Sequence, residues 1–327
     1  METPVKKSTL LFASLVITFA PGLQAADRAW PARPIKLVVP YPAGGGGDLV
    51  ARRLADFMAG KLGQAVVVEN KGGAIGTIGA SMVAHAEPDG YTLLLNGAGP
   101  GVTASFTQAD LPYDAAKDLT PIVLLGLQPN LLAIPANAPY TDLPSFIEAA
   151  KARPGQVSYA SSGVGAMGHL AAEMFQQTTK TSMNHIPFRG SGPAAAALIS
   201  GHVDSAFDTI AAYVPHIRAG KLRALLVTSR ERLPALPEVP TTSEVGLPNF
   251  ETANWYGLSG PANLPRSIVD KVNGVANEYL NLPDSDRQFN EMTIIKRGGT
   301  PEAFAEFLKS EAVKWEPVIR SAGITTK

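Results

Sequence analysis

Short apolar runs alternate with amphipathic helical patterns along most of this 327-residue chain. The first run, IKLVVPY at 35–41, is typical of a buried strand, and the helical pattern at 48–62 places an apolar side chain at every fourth position from Val50 to Leu62. Asp48 is the predicted N-cap of this helix. The alternation continues up to the proline-rich segment 231–248. It predicts an α/β fold, in which a mainly parallel sheet is covered by helices on both faces.

The first 25 residues have the three parts of a secretory signal. Lys6 and Lys7 precede the short apolar core LLFASLVITFA, and small residues follow up to Ala25. This core is shorter than the roughly 20 apolar residues that span a bilayer. We expect cleavage after Ala25, export to the periplasm, and no stable insertion of the mature chain into the membrane.

Composition excludes several classes of function. The chain has no cysteine, which rules out disulfides, a lipid-modified cysteine and a thiol nucleophile. It carries 28 basic and 28 acidic residues, a balance that argues against a nucleic-acid partner. Its 5 histidines do not pair at metal-ligand spacing, and no phosphate-loop or nucleophile-elbow motif occurs. We therefore expect no metal, no cofactor and no enzymatic activity.

Two loops share one design, in which an apolar strand leads through glycines or serines into a helix. The first is YPAGGGGD at 41–48, and the second is YASSGVGAMGHL at 159–170. The first N–H groups of a helix lack intrahelical partners and carry partial positive charge, and glycine lets a ligand approach them. Ligands of open α/β sheets bind at the carboxyl ends of the strands, so the two loops are expected to hold a carboxylate together. The alternative is that the glycines serve packing alone or form a loose turn.

The second loop also matches the dinucleotide-binding pattern G-x-G-x-x-G, through Gly163, Gly165 and Gly168. That pattern needs an acidic residue about 20 positions further on to bind the ribose, whereas the next strand ends in Arg189. An arginine accommodates a 2′-phosphate, but an exported protein has little access to such a cofactor. Nucleotide binding is therefore set aside.

Two side chains near these loops have more than one interpretation. His169 stands at the start of the helix after the second loop, where it either contacts a ligand or hydrogen-bonds the loop backbone. Asp208 ends the strand SAFD, where it binds a cationic group or an ordered water, or caps the following helix. Trp255 and Tyr256 are interpreted as core residues.

The ordered motifs of the chain resemble the Bug family, the periplasmic solute-binding proteins of tripartite tricarboxylate transporters. The resemblance covers essentially the whole mature chain and rests on segments such as VVPYPAGGGGD, VVVENKGGAIGTIGA, YASSGVGAMGHLAAEMF, IPFRGSGPAAAALISGHVDSAFD and NWYGLSGPANLP. It implies a two-lobed Venus-flytrap fold, each lobe a mainly parallel sheet flanked by helices. It also implies a monomer that binds a small organic acid and delivers it to membrane transporter subunits.

The expected first lobe comprises residues 27–128 and 229–327, and the second lobe residues 129–228. The segments that cross between them, near 126–130 and 227–229, are the expected hinge. By resemblance the ligand carboxylate lies between the loops Tyr41–Asp48 and Ser161–His169. The predicted ligand-binding residues are Tyr41, Ala43, Gly44, Gly45, Asp48, Thr77, Ser161, Ser162, Gly165, His169, Arg189, Ser191 and Asp208.

The chain departs from the family pattern at three places. Ala166 stands where family members usually have a serine, and Lys71, Gly72 and Gly73 replace an Arg-Pro-Gly pattern. The third loop reads LNGAGPGVTAS rather than the usual serine-rich form. These loops select the acid, so the resemblance does not identify the ligand. An exported α/β enzyme acting on a small acid is the alternative function, and a convergent nucleophile–base pair would favour it.

Overall fold

The computed structural model describes Met1 and residues 30–326, so the predicted signal peptide lies outside the described residues. The strands are β1 (Ile35–Val39), β2 (Val66–Asn70), β3 (Thr92–Gly97), β4 (Leu119–Pro135), β5 (Ser158–Ser161), β6 (Asn184–Pro187), β7 (Ser205–Thr209), β8 (Leu222–Val227), β9 (Ala253–Pro261) and β10 (Ile295–Lys296). The α-helices are α1 (Gly46–Leu62), α2 (Thr77–Ala84), α3 (Ala104–Thr107), α4 (Leu143–Ala152), α5 (Met167–Thr179), α6 (Ser191–Ile199), α7 (Val214–Arg218), α8 (Arg266–Leu280), α9 (Ser285–Glu291) and α10 (Pro301–Ala322). Over this part of the chain, none of the helices combines the length and apolarity needed to cross a membrane.

Helix α1 begins two residues earlier than its sequence pattern predicted. Gly45, not Asp48, occupies the N-cap position, so the capping role predicted for Asp48 is wrong. Asp48 lies in the first turn and accepts a hydrogen bond from the N–H of Gly44, which precedes the helix. A carboxylate is stabilised by the free N–H groups of a helix start both at the N-cap and in the first turn. The sequence pattern therefore does not distinguish these two positions.

The strands form one path in the order β2-β1-β3-β9-β4-β7-β5-β6, with β8 and β10 also paired to β4. The outer strands are parallel, as predicted: β1 pairs with β2 and β3, and β5 pairs with β6 and β7. Every antiparallel pair involves β4 or β9. The sheet is therefore mixed, because β4 and β9 run antiparallel to their neighbours and are not parts of strand–helix–strand units.

Strand β4 belongs to both lobes. Its first part, Leu119–Pro129, pairs with β9, and from Asn130 onward it pairs with β7 and β8. The two apolar runs of this region, PIVLLGL and NLLAIP, are joined in a single 17-residue strand. The crossing from the first lobe to the second thus takes place inside a regular, largely buried strand.

Each lobe has its own apolar core. Leu37, Leu54 and Leu258 belong to the core of the first lobe. Leu233 and Val239, in the proline-rich segment, pack instead in the core of the second lobe, which also contains Leu131, Val227 and others. Phe250 lies in a further cluster of the second lobe. The lobe limits remain a proposal, and this packing favours moving the second limit from residue 229 to about residue 253.

Helix α10 covers the seam between the lobes. Its Trp315 and Ile319 share an apolar cluster with Trp255 of β9 and with Met167 and Leu170 of α5. Just beyond the helix, the N–H of Thr326 donates to the carbonyl of Thr107 at 2.8 Å. The C-terminal helix therefore holds the start of α5 against the first lobe, close to the second glycine loop.

Candidate functional site

A cleft of about 520 Å³ lies between the lobes, at the carboxyl ends of six strands. The first lobe lines it with residues that follow β1, β2 and β3, and the second lobe with residues that follow β5, β6 and β7. The long strands β4 and β9 form its floor through Gln128, Asn254 and Tyr256. This is the position at which open α/β sheets bind their ligands.

The four consecutive glycines, Gly44–Gly47, have three different roles. Gly44 has a φ of +81°, a left-handed conformation that other residues adopt only with strain. Gly45 and Gly46 line the cleft, at the N-cap and first residue of α1. A Cβ on Gly47 would lie 2.7 Å from the ring of Tyr41, so only glycine fits there without displacing that ring. The run is therefore a shaped wall of the cleft.

Asp48 holds this loop in place from behind the cleft. Its carboxylate is almost fully buried and accepts hydrogen bonds from Gly44 N–H, Arg52 Nε and Asn70 Nδ2, each at 2.9 Å. Burial favours the neutral acid, but these bonds outweigh it and lower the pKa of Asp48 below its ordinary value. Asp48 is thus an anionic brace for the loop, and it does not line the cleft.

The second loop enters α5 in the same way, with Ala166 as the N-cap of the helix. Ser162, Gly165 and Ala166 line the cleft. His169 lies beneath them with 7% of its surface exposed, and its Nδ1 accepts a hydrogen bond from the N–H of Gly165 at 3.1 Å. Of the two interpretations of His169, the structure shows the bond to the loop backbone.

His169 stacks on His185, with ring centroids 3.9 Å apart and planes 13° apart. Burial lowers the pKa of His169 to about 3, with a further contribution from His185, and burial lowers the pKa of His185 to about 4. Both imidazoles are therefore neutral at pH 7. They support the loop and carry no charge to a ligand.

A third helix, α6, also begins at the cleft. Gly190 is its N-cap, and both Gly190 and Ser191 line the cleft. Behind them, Asp208 is completely buried at the end of β7 and accepts a hydrogen bond from the N–H of Thr209 at 2.8 Å. Burial raises the pKa of Asp208 to about 6, although several hydrogen bonds act in the opposite direction.

The predicted site residues fall into three groups: those that line the cleft, those buried behind it, and those outside its lining. Five of them line the cleft: Tyr41, Gly45, Ser162, Gly165 and Ser191. Asp48, Ser161, His169 and Asp208 are buried behind it. Ala43, Gly44 and Arg189 are exposed outside its lining, and Thr77 is buried with its hydroxyl donating to the carbonyl of Ala74. The structure therefore brings the two loops together, while much of the predicted set supports them from outside.

Several lining residues were missed. Tyr256, interpreted as a core residue, has only 4% of its surface exposed but forms part of the cleft floor. Its hydroxyl donates to Gln128 Oε1 at 3.1 Å, and its ring meets Tyr41 edge-on at 5.9 Å. The other missed residues include Ile75, Gly76, Gly99, Thr103, Gln128, Met167, Gly190, Thr209 and Asn254. The sequence carried one signal for Tyr256. Neighbours in a strand point to opposite faces, and Trp255 fills the core, so Tyr256 faces the other side of the sheet.

The described residues that line the cleft include no charged side chain. The cleft instead collects the first turns of α1, α5 and α6, where N–H groups lack intrahelical partners and carry partial positive charge. Anions bind well at such helix starts. The arrangement can hold a carboxylate without a cationic side chain.

One hydroxyl–imidazole pair lies near the second loop, which bears on the alternative of an enzyme. Ser161 Oγ is 2.7 Å from His185 Nε2. Ser161 is fully buried, its hydroxyl also contacts Gly163, and neither member of the pair lines the cleft. In the described part of the chain, no group of three or more potential metal ligands clusters. A nucleophile needs access to its substrate, and this serine has none.

Comparison with known proteins gives consistent matches along the chain. The family described as tripartite tricarboxylate transporter family receptor, TctC, matches residues 50–324. The protein BugT of Bordetella pertussis (strain Tohama I) is 36% identical over 299 residues, which cover 91% of this chain and 92% of BugT. The solved structure of R. palustris Rpa4515 with adipate has a TM-score of 0.81 at 34% identity and covers 90% of this chain and 99% of its own. The structure of MatC (Rpa3494) from Rhodopseudomonas palustris with bound malate has a TM-score of 0.77 at 34% identity, covering 89% of this chain and 100% of its own.

These relatives are solute-binding receptors and not enzymes, and their structures confirm the predicted two-lobed α/β binding-protein fold. The family match begins at residue 50, just after the first glycine loop, and includes the second one. The chain therefore belongs to the TctC family of tripartite tricarboxylate transporter receptors, as its resemblance to the Bug proteins predicted.

Proposed function

We propose that this protein captures a small organic acid in the cleft between its lobes and delivers it to the membrane subunits of a tripartite tricarboxylate-type transporter. One observation carries the proposal: the cleft has no charged side chain among its described lining residues, yet three helices begin at it. Dipoles at helix starts stabilise an anion with little of the desolvation cost that a buried cation would add.

We assign the ligand carboxylate to the first turn of α1. The N–H groups of Gly46, Gly47 and Asp48 lie within that turn and precede the first residue whose N–H is bonded within the helix, Leu49. A carboxylate at this point gains charge-assisted hydrogen bonds of about 1.5–3 kcal/mol each. The rest of the ligand then extends toward the second lobe. A cleft of about 520 Å³ is within the size range of small-molecule sites.

The first ligands to test are short acids. Adipate and malate are bound by the two R. palustris proteins, and both have a carboxylate at each end of a short chain. Purified mature protein is titrated with a panel of such acids by calorimetry, and its thermal unfolding is followed in parallel. A ligand at 100 times its Kd stabilises the folded state by about 2.7 kcal/mol. The panel includes the Gly45→Val variant, whose cleft is obstructed, as a negative control.

Recovery of each acid unchanged after long incubation separates a receptor from an enzyme. Turnover of any acid in the panel would contradict the proposal, and so would the absence of binding across it. Periplasmic localisation, a monomeric state and transfer to a transporter follow from the same proposal. Cell fractionation, light scattering in solution and acid uptake by cells with and without the gene test these three points.

A further inference from the structure

A strained turn forms part of the first-lobe wall of the cleft. Its four consecutive residues, Gly73–Gly76, all have positive φ. Two of them are not glycines: Ala74 has a φ of +47°, and Ile75 has a φ of +52° with a ψ of 26°. A β-branched residue adopts this left-handed conformation only with strain. Such strain persists where the surrounding structure holds it, and it is concentrated at functional sites.

Backbone contacts hold this turn in place. The carbonyl of Ala74 accepts hydrogen bonds from Thr77 Oγ1 at 3.0 Å and from Gln108 Nε2 at 3.3 Å. A Cβ on Gly99 would lie 2.3 Å from the carbonyl oxygen of Ile75, so the turn packs closely against a bare backbone. These contacts fix the turn without using the side chain of Ile75.

That side chain faces the ligand space and not a core. Ile75 is partly buried and lines the cleft, and among the described residues it packs against none of the apolar cores. Pro40 and Pro42 line the cleft on the same wall. The turn lies against both prolines, because a Cβ on Gly76 would be 3.3 Å from Pro40 Cβ and one on Gly72 would be 3.8 Å from Pro42 Cδ. We call Pro40, Pro42 and Ile75 the apolar patch.

The same wall offers a ligand no accessible side-chain hydroxyl. Tyr41 and Thr103 also line the cleft from the first lobe, but Tyr41 Oη and Thr103 Oγ1 are buried. The other described residues that line this wall are glycines and the members of the apolar patch. A ligand hydroxyl placed against the patch would lose its water without gaining a side-chain partner, which is unfavourable. A hydrocarbon segment in the same place is stabilised by leaving water.

We propose that Ile75 is a specificity-determining residue, and that the apolar patch selects acids whose carboxylate is followed by bare hydrocarbon over acids that carry hydroxyls there. This inference rests on the proposed function, which assigns the carboxylate to the first turn of α1. Pro42 stands just before the glycines that lead into that helix, so the segment of the ligand next to the carboxylate reaches the patch. The strained isoleucine then supplies a contact that forms only with the ligand.

The test compares acids of equal length that differ only in hydroxyl groups. Adipate is paired with galactarate, which carries a hydroxyl on each carbon between its carboxylates, and succinate is paired with tartrate in the same way. Calorimetric titration of the mature wild-type chain should show the hydroxyl-free acid binding at least about tenfold tighter in the pair that fits the cleft.

Two variants of Ile75 test the side chain itself. Ile75→Gly removes it and should lower this affinity ratio by about fivefold or more, through weaker binding of the hydroxyl-free acid. Because glycine adopts positive φ without strain, the Tm of this variant should stay the same or rise. Ile75→Asn also suits the left-handed conformation and presents an amide, so it should lower the ratio further by strengthening the binding of the hydroxylated acid.

Ala74→Gly is the matched control. It places a glycine at the adjacent left-handed position, which is exposed and outside the cleft lining. Its Tm should change as in Ile75→Gly, while its affinity ratio should remain that of the wild type. Circular dichroism confirms that each titrated variant is folded.

The outcomes separate the inference from the function on which it rests. If both acids of each pair bind equally to the wild type, or the ratio is unchanged in Ile75→Gly, the inference is overturned and the receptor function stands. The inference is also overturned if Ala74→Gly lowers the ratio as much as Ile75→Gly, since the stiffness of the turn would then be responsible. If none of the four probes binds, the proposed carboxylate site on α1 is overturned, and the inference fails with it.

Discussion

The N–H of Gly165 donates to Nδ1 of His169 across 3.1 Å, which ties the cleft-lining glycine of the second loop to a buried imidazole one helical turn later. Gly165 has a φ of +74°, so the bond holds a left-handed turn that faces the ligand space. Because Nδ1 accepts, the ring proton is on Nε2, which lies 3.8 Å from Glu173 Oε1. The ring is thus a part of the wall's support.

Replacing His169 tests this support. In His169→Leu the Gly165 N–H loses its partner, and we expect the free energy of unfolding to fall by about 1–3 kcal/mol, with weaker ligand binding. In His169→Asn the side-chain oxygen takes a position close to that of Nδ1 and can accept the same bond, so most of the affinity should remain. Urea unfolding and calorimetry on both variants make the comparison. Equal losses in the two variants would show that the ring acts by its volume and not by accepting this bond.

The stacked histidines predict a loss of stability in acid. Their pKa values in the folded protein are about 3 and about 4, against an ordinary value of 6.5, because burial favours the neutral rings. Below pH 6.5 the unfolded chain binds protons that the folded chain does not, so the free energy of unfolding decreases as the pH falls toward 4. Above pH 6.5 both states are neutral at these rings and the contribution is constant. Each ring contributes at most about 2.7 kcal/mol between pH 7 and pH 4.5, at about 1.4 kcal/mol per pH unit, and allowing for the partial exposure of His185 we expect the pair to lower stability by about 3–5 kcal/mol.

Unfolding free energies of wild type and His169→Asn across this range isolate the contribution of one ring, since the carboxylates titrate in both proteins. The variant should lose less stability on acidification than the wild type. His202→Asn, at an exposed position, is the matched control and should follow the wild-type curve. Parallel curves for wild type and His169→Asn would contradict the assignment.

The four consecutive glycines, Gly44–Gly47, allow ligand binding and folding stability to be changed separately. Gly45 has φ −77° and ψ 170°, which other residues adopt, and a Cβ there would lie 3.4 Å from the carbonyl oxygen of Pro42. Gly45→Val should therefore fold, while its side chain obstructs the carboxylate site on α1. Losing two hydrogen bonds to a charged carboxylate costs about 3–6 kcal/mol, or about a hundredfold or more in affinity.

The neighbouring residue Gly44 provides the control for Gly45→Val. Gly44→Ala places a Cβ on a left-handed residue outside the cleft lining, and it should cost about 1–2 kcal/mol of stability with little change in affinity. Thermal unfolding and calorimetry distinguish the two effects. Unchanged affinity in Gly45→Val would mean that the ligand does not reach this loop.

The crossing point between the lobes predicts a hinge. Three segments meet there and not two: Asn130 N–H donates to Thr228 Oγ1 at 2.8 Å, Thr228 N–H donates to the carbonyl of Asn130 at 2.9 Å, and Thr252 N–H donates to the carbonyl of Thr228 at 3.2 Å. A ligand that contacts both lobes favours the state in which they are closer. The radius of gyration from small-angle scattering should therefore decrease when saturating acid is added to wild type. It should not change with Gly45→Val, and identical wild-type curves with and without ligand would rule out closure.

The sequence alone determined the features that depend on near neighbours. A helix start depends on a few consecutive residues, so the entry of the chain into α1 and α5 after glycine loops could be predicted to within about two residues. The order of strands and helices followed from apolar periodicity for the same reason. These features were enough to locate the two loops that form the walls of the cleft.

Only the tertiary structure decided which side chains face the ligand and which lie behind. Gln128 and Tyr256 form the cleft floor together although they are 128 positions apart, because β4 and β9 pair along the seam between the lobes. Asp48 and His169 are polar and lie at the expected loops, yet both are buried behind the cleft and support it. Each can be buried because it accepts a hydrogen bond inside the protein, Asp48 from Asn70 and His169 from Gly165. Leu233 packs in the second lobe because it belongs to an apolar core that includes Leu131 of β4 and Val227 of β8. The first of these is about a hundred positions away in the sequence, so the local pattern does not show this contact. Periodicity describes which face of an element is apolar, while pairing between remote segments decides what that face meets.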